Sequence, residues 1–382
     1  MVGQSMSEVL IVGGGIMGLW AALMAGRIGI ETRLIEGKRI GAGASGGLLG
    51  ALMPHMPDRW NAKKQFQFDA LVSLEGEIAR LEEETGLSAG YRRSGRVMPL
   101  GKPHLKDIAR GHEQDAARHW IAGERRFHWH VKDGGTGDWP AIQAAPFGIV
   151  HDTLAARVSP RDLLRVLRAA IAGFSHVRIE EGAEVASVDP ERGRLLLADG
   201  RALVFGHCIL AAGVESFAFI DHLARSGQAP SGVAIKGQAA LLRADIDPAS
   251  PIIFTDGLYI VAHDNGHVAV GSTSENRFDA PFSTDEQLQV LIDRAAALAP
   301  ALLGAPVVER WAGLRPKAIG REPMVGRHPD HGRLSVLTGG FKISFGMAHV
   351  LAQWVIDEIA GRQARVDLPD SFRCATHMEA LR

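Results

Sequence analysis

The sequence predicts an α/β fold in which a Rossmann-type dinucleotide-binding domain is interrupted by a discontinuous, antiparallel-sheet α+β domain. Three observations carry this expectation. Residues 7–37, SEVLIVGGGIMGLWAALMAGRIGIETRLIEG, read as a strand, a glycine turn, a helix and a second strand. The middle of the chain is a series of short β-patterned runs separated by turn signals. The closing part, from WAGLRP through GGFKISFGMAH, returns to a strand, a glycine turn and a helix. A length of 382 residues suggests about two to three domains.

In the opening unit, Gly13, Gly15 and Gly18 give G-x-G-x-x-G between strand and helix, with Ile16 and Met17 in between. There, backbone N–H groups and a helix N-terminus can meet a pyrophosphate. Gly18, Ala22 and Ala25 form a small-residue stripe at helical spacing, which lets the helix lie close to the sheet. Glu36, followed by Gly37, ends the second strand, where an acidic side chain accepts from an adenosine ribose and disfavours a 2′-phosphate. The strand before, the helix after and the terminal glutamate turn a weak glycine pattern into a dinucleotide-binding expectation.

The loop GAGASGGLLGALMPHMPDRW is too small-sided to build a core and suits close approach of backbone to a ligand. A helix over Lys64 to Glu84 follows; its acidic run EIARLEEETG is a solvated face that stops at Gly86. From Arg92 to Phe147 the pattern is irregular, with GRVMPL as a strand, a polar helix and the glycine-rich KDGGTGDWP. In FHWHVKD, His128 and His130 share one side of a strand, but no third ligand at suitable spacing follows, so no metal is expected.

RVSPRDLLRVLRAAIAG predicts a helix with Ser159 as N-cap and Pro160 at its first position. The next segment, HVRIEEGAEVASVDPERGRLLLADGRALVFG, reads as a meander with an Asp199–Gly200 hairpin. It leads into the apolar strand CILAAG, whose end at Ala211, Ala212 and Gly213 offers a second small-sided surface for a nucleotide. IKGQAALLRA, a hairpin through DNG in GLYIVAHDNGHVAVGSTSE, and a helix from Glu286 to Leu298 complete the β-rich middle.

Composition narrows the function classes. A formal charge of −1 removes the attraction that drives binding to phosphate backbones, so no nucleic acid is expected. No apolar run approaches the roughly eighteen residues that cross a bilayer, and a soluble cytoplasmic protein is expected. Cys208 and Cys374 match neither a metal spacing nor a disulfide framework and are expected to be inert thiols. In WAGLRP, Pro316 restricts Arg315 to an extended or turn backbone and so fixes the direction of its charge.

Taken in order, GGGIMG, LIEG, GASGG, VSPRDLL, ILAAG, KGQ, VAVGSTSE, WAGLRP and GGFKISFGMAH resemble the D-amino-acid oxidase superfamily of FAD-dependent amine oxidoreductases, most of all its glycine oxidase-like members. The resemblance runs from about Val9 to Gly361. It implies non-covalent FAD, held by residues 1–90, 150–220 and 310–382, and a substrate domain of residues 91–149 and 221–309.

By the same resemblance the glycine turn meets the FAD pyrophosphate and Glu36 the ribose. Ala44, Ser45, Gly46 and Leu48 belong to a loop running toward the flavin, and Val185, Ala211, Ala212 and Gly213 flank the adenine half. Gly339, Gly340, Phe341, Lys342 and Ile343 form the turn that sets backbone N–H groups against the flavin, where a helix N-terminus stabilises negative charge. Arg315 falls where the family holds the substrate carboxylate. Tyr259, Lys342 and His55 are the further substrate-side residues, with His263 beside them in VAH. Gly340, Ser344 and Val261–His263 depart from the family pattern on the substrate side.

The implied reaction is oxidation of glycine or a D-amino acid by hydride transfer from the α-carbon to flavin, giving an imine that hydrolyses to keto acid and ammonia. The implied partners are a small carboxylate-bearing amine and oxygen or another electron acceptor, with a homo-oligomer as a further possibility. Four alternatives stay open: oxidation of N-substituted glycines such as sarcosine, a tRNA-wobble-modification-like activity, 2-hydroxy acid dehydrogenation, and service as a subunit of a hetero-oligomeric dehydrogenase.

Overall fold

The computed structural model describes residues 7–134, 137–224 and 229–382, which leaves part of the glycine-rich KDGGTGDWP segment outside the described residues. Two eight-stranded sheets organise the chain. The first carries the parallel series Val177–Glu181, Thr32–Glu36, Ser7–Val12, Ala202–Leu210 and His331–Thr338, in that spatial order. Its central strands are continuous apolar runs because both faces are covered, one by the long helices and the other by Val188, Leu195 and Leu197 of the meander with Phe217 and Ile220; Val9, Leu10 and Ile11 are fully buried.

The outer edge of Ala202–Leu210 is shared between two partners. Its first residues pair antiparallel with Arg194–Leu197, and its last pair parallel with His331–Thr338. Val177–Glu181 is not part of the meander expected from its sequence. It extends the parallel sheet, in register from Val177 opposite Thr32 to Glu181 opposite Glu36. Its alternating charges match a half-covered edge strand, a pattern that a meander strand shares.

The helix Ile16–Arg27 packs along the helix Ser344–Ile359, and both lie on this sheet. A Cβ on Gly18 would overlap the Gly13 carbonyl oxygen, so glycine there lets the helix follow the turn directly. Ser159 does precede the helix Pro160–Ala172, but its hydroxyl makes no capping bond; its backbone N–H instead donates to the Ala89 carbonyl (2.9 Å).

The second sheet runs Val307–Ala318, Gly232–Arg243, His267–Gly271, Leu258–Ala262, Ile252–Thr255, Arg96–Pro99, Ile149–Asp152 and Trp129–Lys132. Every pairing is antiparallel except that of Ile252–Thr255 with Arg96–Pro99. The helix Glu286–Leu298 covers one face through Leu288, Leu291, Ile292, Ala295 and Leu298. The other face turns toward the first sheet. The expected domain boundaries at 149/150 and 309/310 both fall inside strands of this second sheet, and the chain leaves it only after Asp152 and Ala318.

Among the buried histidines of the fold are His207, His263, His328 and His349. Burial is the main cause that pushes each of them down to about 4. His349 is the clearest case, with its ring 5.6 Å from Trp20 and Nε2 3.0 Å from the Ser73 hydroxyl. Because the folded-state values lie below the ordinary histidine value of 6.5, the unfolded chain binds more protons below that pH. Stability is therefore complete above about pH 6.5 and is lost as pH falls toward 4. Thermal melts between pH 7.5 and 4.5 should show a steadily falling Tm over that window; a flat profile would mean that these imidazoles are not held neutral.

Candidate active site

A cavity of about 840 Å³ lies between the two sheets, in the upper part of the size range of cofactor and ligand sites. At one end it is walled by Gly13–Met17, Glu36–Lys38, Val185 and Ala211–Gly213. The Glu36 carboxylate accepts from the backbone N–H groups of Gly14 (2.7 Å) and Lys38 (2.9 Å). The Ser45 hydroxyl accepts from Ile16 N–H (3.0 Å), which ties the Ala44–Gly46 turn to the start of the first helix.

The cradle fits a dinucleotide. Gly13 has φ +112°, and a Cβ there would overlap the Ala211 carbonyl oxygen, so only glycine lets the two strand ends meet under a ligand. The first helix starts on the cavity without an acidic residue in its first turn; Ser45 takes the Ile16 N–H, and the next donors of that turn suit a diphosphate. At the other end of the cavity the helix Ser344–Ile359 begins after Gly339 (φ +76°) and Phe341 (φ +45°), also with no acid in its first turn.

Of the expected cofactor residues, all but two line this one cavity: Gly13, Gly15, Ile16, Met17, Glu36, Gly37, Ala44, Ser45, Leu48, Val185, Ala211, Ala212, Gly213, Arg315, Gly339, Gly340, Phe341, Lys342 and Ile343. Gly18 and Gly46 do not. A Cβ on Gly18 would overlap Gly13, one on Gly46 would overlap Gly41, and the Gly46 carbonyl accepts from Arg161 Nε (2.9 Å). Both glycines shape the wall from behind.

The sheet-facing end brings Arg315, Tyr259, Lys342 and His55 together. A row of paired residues crosses the second sheet from Trp311 through Ala239, Gly271 and Tyr259 to Phe254. Arg315 projects from the same face, four residues along the edge strand from Trp311. Its Nη2 donates to the Thr273 carbonyl (2.8 Å), its guanidinium lies 5.8 Å from the Phe341 ring centroid, and its Nη1 is buried without a partner among the described residues. Gly237 makes room for it, since a Cβ there would overlap Nη2.

Lys342 is exposed to the cavity and has no acidic partner within ion-pair reach among the described residues; desolvation, and then Arg315, lower its pKa. His55 also faces the cavity, and loss of hydration is the main cause that lowers its pKa.

His263 departs from expectation. It lies outside the cavity wall, where its Nε2 contacts the Leu48 carbonyl (3.1 Å) from behind the loop. Its strand ends one residue earlier, at Ala262, and the ring turns to the loop rather than to the cavity. His128 and His130 stack 4.9 Å apart at the start of the edge strand Trp129–Lys132, with both rings exposed, and no metal-holding group of side chains occurs among the described residues. Among the wall residues to which the sequence assigned no role are Arg96 and Phe254, close to the substrate-side tyrosine. Arg96 had a signal, a charge inside the apolar strand GRVMPL.

Comparison with known proteins agrees with this geometry. The DAO family, described as FAD dependent oxidoreductase, matches residues 8–354. Glycine oxidase of Pseudomonas putida is 29% identical over 371 residues, covering 94% of this chain and 96% of that one. The bifunctional protein ThiO/ThiG of Nostoc sp. is 25% identical over 373 residues, 94% of this chain but 53% of that one. The crystal structure of glycine oxidase from Geobacillus kaustophilus has the same fold, with a TM-score of 0.82 at 22% identity over 96% of this chain and 98% of that one.

The chain has two tyrosines, and burial raises both. Tyr91 is pushed up to about 12, whereas at Tyr259 the rise is opposed by Arg96 and Arg315. An ultraviolet titration of the folded protein should show no full tyrosinate step centred on pH 10, while the urea-unfolded chain shows two tyrosines ionising there. One complete step at pH 10 in the folded protein would contradict the packing of one of these rings.

Proposed function

The chain belongs to the DAO family of FAD-dependent oxidoreductases, and on that premise we propose that it oxidises a small amino acid, glycine or a D-amino acid, at the α-carbon. The observation that carries the proposal is Arg315: a guanidinium on the cavity wall, anchored through Nη2 to the Thr273 carbonyl, with Nη1 buried and unpartnered. A planar fork held in this way suits a carboxylate, which would satisfy the orphaned nitrogen.

FAD, when bound, supplies the acceptor for the hydride and takes the difficult part of the chemistry. The protein's part is to bind, orient and exclude water. The glycine turn at Gly13–Gly15 and the start of the first helix would hold the diphosphate, and Glu36 the ribose. Arg315 would hold the substrate carboxylate, with the Tyr259 phenol donating to the same group. The strand and the glycine turn on either side of Arg315 then fix which way the neighbouring C–H points.

Among the described residues no carboxylate lines the substrate end, so none is placed there to act as a strong general base. His55 can accept the proton from the substrate ammonium because its lowered pKa keeps it neutral near pH 7. A second reading, oxidation of an N-substituted glycine, is favoured by Lys342, which stands beside Arg315 as a second cation able to meet a carboxylate.

Both readings are tested by anaerobic reduction of the purified yellow protein with glycine, sarcosine, D- and L-amino acids and 2-hydroxy acids. Glycine or a D-amino acid should bleach the flavin, and Arg315→Ala should lower the reduction rate at low substrate by about 100-fold, with Arg315→Lys between the two. Parent-like reduction by Arg315→Ala would remove the carboxylate anchor from the proposal, and a protein bleached by none of these compounds would overturn it.

Gly237→Ala makes a separate prediction. The added methyl pushes the guanidinium off the Thr273 carbonyl, so KM should rise by about tenfold, and the loss of that bond costs about 1–3 kcal/mol of stability. An unchanged KM would show that the position of Arg315 is not critical.

A further inference from the structure

Arg96 is a second arginine on the wall of the same cavity, and it is almost wholly buried, at 2% exposure. Asp152, fully buried behind it, accepts from its Nε. The other oxygen of Asp152 is taken up by the backbone N–H groups of Leu154 (3.2 Å) and Ala155 (2.8 Å). On the outer part of the fork, Nη2 is buried with no partner among the described residues. An arginine kept only for a structural ion pair is expected to have its buried donors satisfied, because leaving them bare is costly.

The surroundings of Arg96 resemble a binding pocket more than a core. Its guanidinium lies 5.5 Å from the Trp129 ring and 6.0 Å from the Phe254 ring. Its strand partner Ile252 is two residues from Phe254, so Arg96, Phe254 and Tyr259 share the face that looks into the cavity. In the sheet order the strand of Tyr259 lies between the edge strand of Arg315 and the strand of Arg96, so the phenol stands between the two guanidinium-bearing strands.

The charge balance also favours an anion. The acids lining the cavity among the described residues are Glu36, Glu184 and Glu215, all carried by the dinucleotide-binding part of the chain. Arg96, Arg315 and Lys342 stand at the other end against one close carboxylate, that of Asp152. Glu275 behind Arg315 is committed to Lys236. A monocarboxylate amino acid, neutral as a zwitterion, leaves this desolvated end with its full positive excess, and a second carboxylate reduces that excess.

We propose that Arg96, set between Trp129 and Phe254 on the cavity wall, forms a distal anion subsite, and that the amino acid oxidised here carries a second carboxylate beyond its α-carboxylate. The proposal rests on the amino acid oxidase reading above and deepens it. Arg315 orients the reacting end of the substrate, and Arg96 selects what lies at the far end.

The test titrates the holoenzyme with acetate and propionate and with malonate, succinate, glutarate and adipate, following perturbation of the flavin absorption band. At least one dicarboxylate should bind about tenfold or more tightly than the monocarboxylates, and the preferred length measures the span between the two arginines. Reduction by D-aspartate, D-glutamate or N-carboxymethyl amino acids should outpace reduction by glycine and D-alanine at low substrate. Arg96→Met combined with Asp152→Asn removes both buried charges together, so that neither is orphaned, and should bring the affinity ratio to about one.

Equal affinity for mono- and dicarboxylates in the parent protein overturns the proposal, whatever the fate of the double variant. So does a preference that survives in that variant. If glycine bleaches the flavin and Arg315→Ala abolishes this while no dicarboxylate preference exists, the distal subsite falls and the oxidase reading stands. If no amine of either kind bleaches the flavin, the oxidase reading falls and the subsite falls with it.

Discussion

The arrangement depends on how one edge strand, Val307–Ala318, uses both of its sides. On one side it is laddered to Gly232–Arg243, from Gly232 opposite Ala318 to Leu242 opposite Val307. On the other it meets the glycine turn before the last long helix: Phe341 N–H donates to the Pro316 carbonyl (3.1 Å), and Lys317 bridges Gly340. A proline in a strand normally forfeits a ladder bond. In a strand the N and C=O of one residue point the same way, so Pro316 turns its missing donor to the free edge, where its carbonyl is in use, and the main ladder loses nothing. Arg315, one residue earlier, is thereby locked between a sheet and a helix start.

Beneath Arg315 lies a polar network of unusual density for a core. Gln238 N–H donates to the Thr273 hydroxyl (2.9 Å), which donates to Glu275. The Gln238 amide donates to Glu275 (3.0 Å) and Asp285 (2.8 Å), and Lys236 pairs with both acids. Such a network is worth having only when every member is satisfied, because each unpaired member costs heavily in a low-dielectric interior. Here it fixes the carbonyl of Thr273 and so fixes the arginine that leans on it. Pairing Lys236 with Glu275 also leaves the positive field of Arg315 uncancelled on the cavity side.

Much of this was legible in the sequence, because the relevant features are local. The glycine turn, the strand ending at Glu36, the Asp199–Gly200 and Asn265–Gly266 hairpins and the restriction that Pro316 places on Arg315 all follow from neighbours within a few positions. What escaped depends on pairing across long separations. The edge pairing of Val177–Glu181 with Thr32–Glu36 was hidden because its charged pattern suits an exposed meander equally well. His263 reads as a pocket residue until the Leu48 loop is seen to lie against it. Arg96 looks like an ordinary strand charge until Asp152, Trp129 and Phe254 are brought around it from three other strands.

The cavity is assembled from segments as far apart as Gly13–Met17 and Gly339–Phe345, and the helices that follow those two turns pack on one another. During synthesis, therefore, the nucleotide cradle emerges early but stays open on one side until the last long helix has left the ribosome. Tight retention of the cofactor then reports on completion of the chain, and its binding free energy adds to the stability of the finished fold alone. A polypeptide interrupted before residue 339 would keep its glycine fingerprint and still lack the wall that makes the fingerprint useful.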